Sequence, residues 1–177
     1  MLRRQRGISV VEAMIVVAVI AIMMGLSAPM GAEWLANSRI RSAGESMLAG
    51  LQLARAEAVK RNVPVEFVLD APPASGWTVR VALSGEEIQT RAAGEGTADV
   101  TVTAAPNGAT VVSFDGLGRR TANIDTSAPI DRLDIDLPTT VLPAAKTRDL
   151  RVQLGLGGQI VMCDPNVTVD SDVRKCP

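Results

Sequence analysis

The chain has 177 residues, with 18 Lys and Arg against 19 Asp and Glu, for a net charge of −1. It contains no histidine and no tyrosine, and only two Trp and two Phe. The missing histidine removes the usual general base and the commonest metal ligand, so we expect no enzymatic activity, no metal and no cofactor. The balanced charge and the scarcity of aromatic residues do not support broad nucleic-acid binding. The length fits one membrane helix and one modest soluble domain.

The amino terminus combines a basic leader with a long apolar segment. Residues 1–7 carry three arginines, and Ile8–Met30 is apolar except for small residues and one carboxylate, Glu12. The apolar run is long enough to span about 30 Å of hydrocarbon. A carboxylate there costs a few kcal/mol, so Glu12 needs a partner or a proton. The arginines predict a cytoplasmic leader and place the carboxyl terminus on the other side of the membrane.

This leader, ending in Gly7 and followed by apolar Ile8 and by Glu12, resembles the processing site of type IV pilins and pseudopilins. The resemblance implies that a prepilin peptidase cuts between Gly7 and Ile8 and that the new amino terminus at Ile8 is methylated. It also implies that Glu12 pairs with the amine of a neighbouring subunit and sets the register of the filament. The first mature residue is most often Phe in this family, whereas here it is Ile8.

Two other interpretations of the amino-terminal segment stay open. One is a cleaved secretory signal peptide, for which Gly25–Ala28 offers small residues at a cleavage site. The other is a plain signal anchor in which Glu12 has no role.

The next segment predicts one helix from residue 8 to about residue 61, in two halves. Residues 8–30 form the transmembrane and assembly half, in which Pro29 predicts a kink or local melting. That kink is either a simple bend or a site of unwinding on assembly. Residues 31–62 form an amphipathic half, which Asn62 and Pro64 end. Its apolar stripe consists of Ile40, Ala43, Met47, Leu51, Ala54 and Ala58.

Residues 63–177 predict a β-rich periplasmic domain. The expected strands are residues 65–69, 77–83, 87–91, 100–103, 110–114, 133–137, 150–154 and 159–162. Asn107-Gly108 favours a hairpin between the fourth and fifth of these. The alternation in the sixth places Leu133, Ile135 and Leu137 inward, with Asp134 and Asp136 toward solvent. The predicted fold class is therefore α+β, with a long helix packed on an antiparallel sheet, as in pilins.

Both cysteines, Cys163 and Cys176, lie near the end of the chain with 12 residues between them. In an oxidising compartment the natural interpretation is a disulfide that closes the tail. Free thiols and a metal site remain as alternatives, although two thiols without histidine make a poor ligand set.

Two patterns narrow the resemblance to the GspH/FimT branch, the minor pilins and minor pseudopilins. They are the helical run Ala54–Asn62 and the strand with a Gly-rich turn at Val112–Arg119. The tail with Cys163-Asp164-Pro165 and Cys176 is most similar to the FimT type. The resemblance implies a minor type IV pilin of pilus assembly or initiation, with other pilins, the prepilin peptidase and the bacterial inner membrane as partners. Alternatives are a minor pseudopilin of type II secretion and a DNA-binding pilin for natural transformation.

Some FimT proteins bind DNA during natural transformation through a Gly-Arg-x-Arg motif before the first tail cysteine, so the resemblance raises the question of such a motif here. The matching positions here, residues 158–161, are Gly-Gln-Ile-Val and lack both arginines. Phosphate contacts need such cations, which weakens the prediction of a DNA receptor. Four other cations could form a small substitute patch for DNA. For each of them the alternative is ordinary solvated surface. They are Arg119, Arg120, Arg174 and Lys175.

Overall fold

The computed structural model describes residues 9–177, except the side chains of residues 26–30. The processing residues Gly7 and Ile8 and the side chain of Pro29 therefore lie outside the described part. The chain divides into two compact units, one ending at Leu35 and the other beginning at Ala36. One helix, α1, is assigned over 52 residues, Val10–Arg61, which confirms the predicted end of the helix.

The described part of the first unit is Ser9 and the helical segment that follows it up to Leu35. Its large apolar side chains are exposed over residues 10–24, as Val10 and Met23 illustrate at 77% and 67% exposure. In the described residues, no helix combines the length and the apolar character needed to cross a membrane. The span predicted over residues 8–30 includes positions outside those residues and stays a prediction, as does the kink at Pro29.

The second unit contains the rest of α1 and nine strands in two antiparallel sheets. The first sheet has the order β3-β2-β1-β5-β6, and the second has the order β4-β7-β8-β9. A single antiparallel sheet was expected, and the short strand β6 was not. The strands are β1 (Val65–Asp70), β2 (Gly76–Val81), β3 (Glu87–Arg91), β4 (Thr101–Ala105), β5 (Val111–Phe114), β6 (Arg120–Thr121), β7 (Arg132–Asp136), β8 (Leu150–Leu154) and β9 (Ile160–Cys163).

The predicted hairpin around Asn107-Gly108 is wrong. β4 pairs with β7 in the second sheet, whereas β5 pairs with β1 and β6 in the first. The turn still forms, with Gly108 at φ +83°. Strand pairing depends on partners far along the chain, so a good turn signal does not by itself join the strands on either side of it.

The apolar stripe of α1 lies at the centre of the core, as predicted. All six residues of the stripe are fully buried, and both sheets contribute side chains around them. Two glycines of α1 allow the two sheets to pack closely against the helix. A Cβ at Gly44 would lie 3.1 Å from Leu150 Cδ1 in the second sheet. A Cβ at Gly50 would lie 2.8 Å from Phe67 Cε2 in the first sheet, so one helix packs against both sheets.

The inward positions predicted along β7 and just after it are also confirmed, since Leu133, Ile135 and Leu137 are at most 2% exposed. Buried polar groups in this core also form side-chain hydrogen bonds. Trp77 Nε1 donates to Ser46 Oγ of α1 at 2.8 Å, which ties β2 to the helix. Buried tryptophan usually finds such a partner, because an unpaired indole N–H is costly to bury.

Candidate functional site

The first turn of α1 contains the candidate assembly residue Glu12, which is exposed. Ser9 precedes the helix, and its Oγ accepts a hydrogen bond from Val11 N at 3.3 Å. Ser9 O accepts the first helical bond, from Ala13 N at 3.0 Å. Ser9 is therefore an N-cap, with Glu12 three residues later at the position of a capping box. The sequence analysis missed this role, although the spacing Ser9-x-x-Glu12 is its usual signal.

Glu12 therefore has two physical uses. Its charge favours the positive end of the helix dipole within one chain. It also projects from an exposed, almost wholly apolar segment, where an external cation would be its natural partner. The structure contains one chain, so pairing between subunits stays a prediction.

The other end of α1 meets the Gly-rich turn between β5 and β6. Asn62 ends the helix at φ +52°, and a Cβ on Gly116 would lie 2.4 Å from Asn62 Oδ1. Asp115 organises the same turn, since its Oδ1 accepts from the backbone N–H groups of Leu117 and Arg119, each at 2.9 Å. These bonds, first among them the one from the Arg119 N–H, lower the pKa of Asp115. The pattern Asp115-Gly116 is therefore explained by packing and turn geometry.

A three-part junction joins this turn to the helix and to the second sheet. Arg55 Nε of α1 donates to Gly118 O at 3.0 Å. Gly158, in the turn between β8 and β9, packs so closely that a Cβ there would lie 2.0 Å from the same oxygen. One carbonyl thus contacts both α1 and the turn of the other sheet. Gly158 matches the first position of the DNA-binding motif of the branch, and here its close packing explains the glycine.

The four cations of the predicted DNA patch each contact a carboxylate. Arg120 is also only 11% exposed at its side chain. The hydrogen bonds from Arg174 lower the pKa of Asp172 to about 2, so that carboxylate stays charged at neutral pH. A phosphate would have to displace these carboxylates, which gives the patch no geometric support. The pairs are Arg119–Asp115, Arg120–Asp131, Arg174–Asp172 and Lys175–Asp170.

The carboxyl-terminal tail is closed by the predicted disulfide between Cys163 and Cys176, with a Cα–Cα distance of 5.0 Å. The alternatives of free thiols and a thiolate metal site are thereby wrong. Within the described residues, no group of three or more Cys, Asp or Glu side chains is placed to hold a metal ion. The tail also lies alongside β9, with an isolated bridge between Asp164 and Lys175.

We expect removal of this disulfide to destabilise the domain by about 3 kcal/mol, because the crosslink restricts the unfolded chain over a short loop. The variant is Cys163→Ser with Cys176→Ser, which leaves no lone thiol. Urea unfolding followed by circular dichroism measures the difference. Reductant should lower the stability of the wild type to that of the variant and leave the variant unchanged. Equal stability of the oxidised wild type and the variant would contradict the expectation.

Comparison with known proteins relates this chain to two family models and to solved pilin structures. The family model described as "Type II transport protein GspH" matches residues 43–166, and the prokaryotic N-terminal methylation motif matches residues 2–28. Comparison with curated protein sequences finds no match. The chain is similar to crystal structures of the type IV minor pilin FimU from Pseudomonas aeruginosa. One has 17% identity and a TM-score of 0.51, covering 70% of this chain and 87% of that chain. A second has 16% identity and a TM-score of 0.50, covering 69% and 90%.

At these identities the likeness to FimU shows a shared fold, a helix packed on antiparallel sheets. The methylation motif implies processing by a prepilin peptidase and assembly with other pilins. The GspH match covers more than half of the chain, including the end of α1 from Ala43, the Asp115 turn and the first tail cysteine. The chain therefore belongs to the GspH family of type IV pilin-like proteins.

Proposed function

We propose that this protein is a minor type IV pilin, a non-catalytic subunit that contributes to the assembly or initiation of a pilus. The observation that carries the proposal is the joining of a methylation motif to the GspH fold through one helix. The motif matches residues 2–28, and α1 runs from Val10 to Arg61, with its buried residues from Ala36 onward in the core of the domain. In such a chain the exposed apolar side chains at the start of α1 can contact neighbouring subunits, while the buried side chains between Ala36 and Ala58 pack in the core of the chain's own domain.

The proposed location is the bacterial inner membrane before assembly, with the domain from residue 63 onward in the periplasm. The apolar side chains of residues 10–24 are exposed in the single chain, and lipid or neighbouring helices would cover them. The disulfide in the tail supports an oxidising compartment such as the periplasm. In the filament, Glu12 pairs with the methylated amine of Ile8 on a neighbouring subunit.

A second candidate function is a minor pseudopilin of type II secretion. The description of the matching family, a type II transport protein, favours this alternative. Both machines use the same processing and the same fold, so cellular phenotypes separate them. Deletion of the gene should abolish pili if the protein is a pilin, and should abolish exoprotein secretion with pili intact if it is a pseudopilin. Loss of transformation alone would indicate the DNA-binding alternative, which the paired cations do not favour.

The direct test of the proposal is the mass of the mature amino terminus. We expect mass spectrometry of the membrane-extracted protein to find a chain that begins with N-methylated Ile8. A Gly7→Glu variant should retain residues 1–7, because the peptidase requires the small residue before the cut. An Ala32→Ser variant, downstream of the site, serves as the matched control and should be processed fully. A wild-type chain that keeps Met1, or that begins after residue 28, would refute the proposal.

A further inference from the structure

The connection between β7 and β8, residues 137–149, forms a strap that is fastened to α1. Asn37 Nδ2 donates to Lys146 O at 3.1 Å, and Arg148 N donates to Asn37 Oδ1 at 2.8 Å. The strap also buries two leucines in the core, Leu137 and Leu142, at 2% and 7% exposure. One amide of the helix thus holds two backbone groups of the strap, and the strap covers part of the core.

Two carboxylates face each other at the neck of this strap. Ile135 of β7 pairs with Leu150 of β8, so the next position places Asp136 opposite Asp149. The neighbouring position on the same face holds opposite charges, since Arg151 Nε contacts Asp134 Oδ1 at 2.5 Å. Like charges directly opposite each other destabilise a strand pair, whereas opposite charges stabilise it. At the neck, the unfavourable pair Asp136–Asp149 therefore lies next to the favourable pair Asp134–Arg151.

The surroundings of the two carboxylates do not fully compensate their charges. Asp136 Oδ1 accepts from Leu137 N at 2.6 Å, and Asp149 Oδ2 accepts from Asn166 Nδ2 at 3.1 Å. Asp149 Oδ1 is buried and has no hydrogen-bond partner within the part of the chain that the structure describes. A proton held between the two carboxyl groups would satisfy this oxygen.

The neighbouring elements place few opposite charges at the neck. On β4 the residue opposite Asp136 is uncharged Thr101, and the tail supplies uncharged Asn166. The cations of β7 and β8, Arg132 and Arg151, both contact Asp134. On α1, Arg39 pairs with Asp99 at 3.4 Å. The strap itself carries two cations, Lys146 and Arg148.

We propose that Asp136 and Asp149 form a proton-dependent latch, which holds the strap closed on α1 when the pair shares a proton and loosens it when both are ionised. This device goes beyond the proposed role in a filament and does not depend on it. Opening would expose Leu142 and the backbone groups that Asn37 holds. The latch would thus couple external pH to the exposure of an apolar surface beside α1.

The direction of the pH dependence follows from the carboxyl group of Asp136. Asp136 is exposed on the outer face of β7, and its partial desolvation, and then the hydrogen bond with Asp149, raise the pKa of its carboxyl group above the ordinary value of 3.8. Between the unfolded and the folded pKa, the folded state binds more protons than the unfolded state. The stabilisation is therefore complete below the unfolded value and is lost as the pH rises through the folded value.

Hydrogen–deuterium exchange of the full mature chain in detergent micelles tests the latch. Peptides from residues 137–149 are compared between pH 4 and pH 7.5, corrected for intrinsic exchange, with β1 as internal reference. We expect the protection of the strap to fall as the pH rises in the wild type. Asp136→Asn should remove this dependence and slow exchange of the strap at pH 7 by about two- to fivefold, the effect of one like-charge pair.

Two control variants separate the latch from general charge effects. Asp134→Asn removes the same charge from the neighbouring position, where it breaks favourable pairs. It should raise exchange and keep the pH dependence. Glu95→Gln changes an exposed loop and should leave the strap unaltered. Asp149→Asn is the second test variant and should behave like Asp136→Asn. Wild-type exchange that does not change with pH, or an undiminished dependence in both test variants, would overturn the proposal.

Discussion

Replacing Glu12 with glutamine is expected to reduce incorporation of the protein into filaments by at least about tenfold, because glutamine cannot neutralise the amine of a neighbouring subunit. The substitution removes the charge of Glu12 but keeps its ability to cap the helix. Glutamine at the third position of a helix still caps the preceding N–H, so the capping box with Ser9 remains possible. Immunoblotting of sheared filaments against the membrane fraction measures incorporation.

Two further variants separate the two uses of Glu12. Ser9→Ala removes the N-cap oxygen that accepts from Val11 N and should cost about 1 kcal/mol of helix stability while incorporation persists. Glu12→Ala removes both the charge and the cap, and should match Glu12→Gln in filament incorporation. If Glu12→Gln enters filaments as the wild type does while Ser9→Ala and Glu12→Ala do not, then Glu12 acts only as a helix cap.

Replacing Gly158 with alanine is expected to destabilise the domain by about 2 to 5 kcal/mol, the largest effect we predict for a single methyl group. Two costs add at this position. Gly158 has φ +81°, where a side chain costs about 1 to 2 kcal/mol. The new Cβ would also lie 2.0 Å from Gly118 O, so the turns of the two sheets must move apart. Because Arg55 donates to the same oxygen, the movement also weakens the hold on α1.

Gly108→Ala is a matched control for this prediction. Gly108 has nearly the same backbone angle, φ +83°, and its added Cβ would meet nothing within 4 Å. It should therefore cost only the backbone term, about 1 to 2 kcal/mol. Urea unfolding of both variants, followed by circular dichroism, isolates the contribution of close packing by subtraction. Equal destabilisation by the two variants would mean that the junction tolerates the methyl group and does not lock the sheets together.

Local patterns in the sequence predicted much of the fold. Helix α1 ends at Arg61 as expected, since Asn62 accepts a left-handed conformation and Pro64 cannot continue a helix. The buried stripe follows from a spacing of three and four residues, and eight of the nine strands coincide with short β-forming runs bounded by turn residues. The missed strand, β6, has only two residues, Arg120–Thr121, too few to show a period.

The candidate sites were also predicted in part from local sequence patterns and missed where they depend on distant residues. The pairing of Cys163 with Cys176 was predictable because the chain has only two cysteines. The cations near residues 119 and 174 were visible, but the carboxylates that contact them were not assigned as their partners. Asp136 was placed correctly on the outer face of β7. Its position opposite Asp149 depends on the register with β8, which a solvent-facing pattern does not specify.

The sequence by itself determined the family resemblance, the processing motif, the long helix with its buried stripe, and the closed tail. Each of these depends on residues that are near one another in the chain, where spacing translates directly into geometry. Only the tertiary structure decided that β4 and β5 belong to different sheets, that Gly158 meets Gly118, and that two carboxylates share the neck of the strap. These features depend on which distant strands become neighbours. An alternating pattern fits many possible partner strands equally well. The strand pairs that form are therefore selected by packing of the whole core around α1.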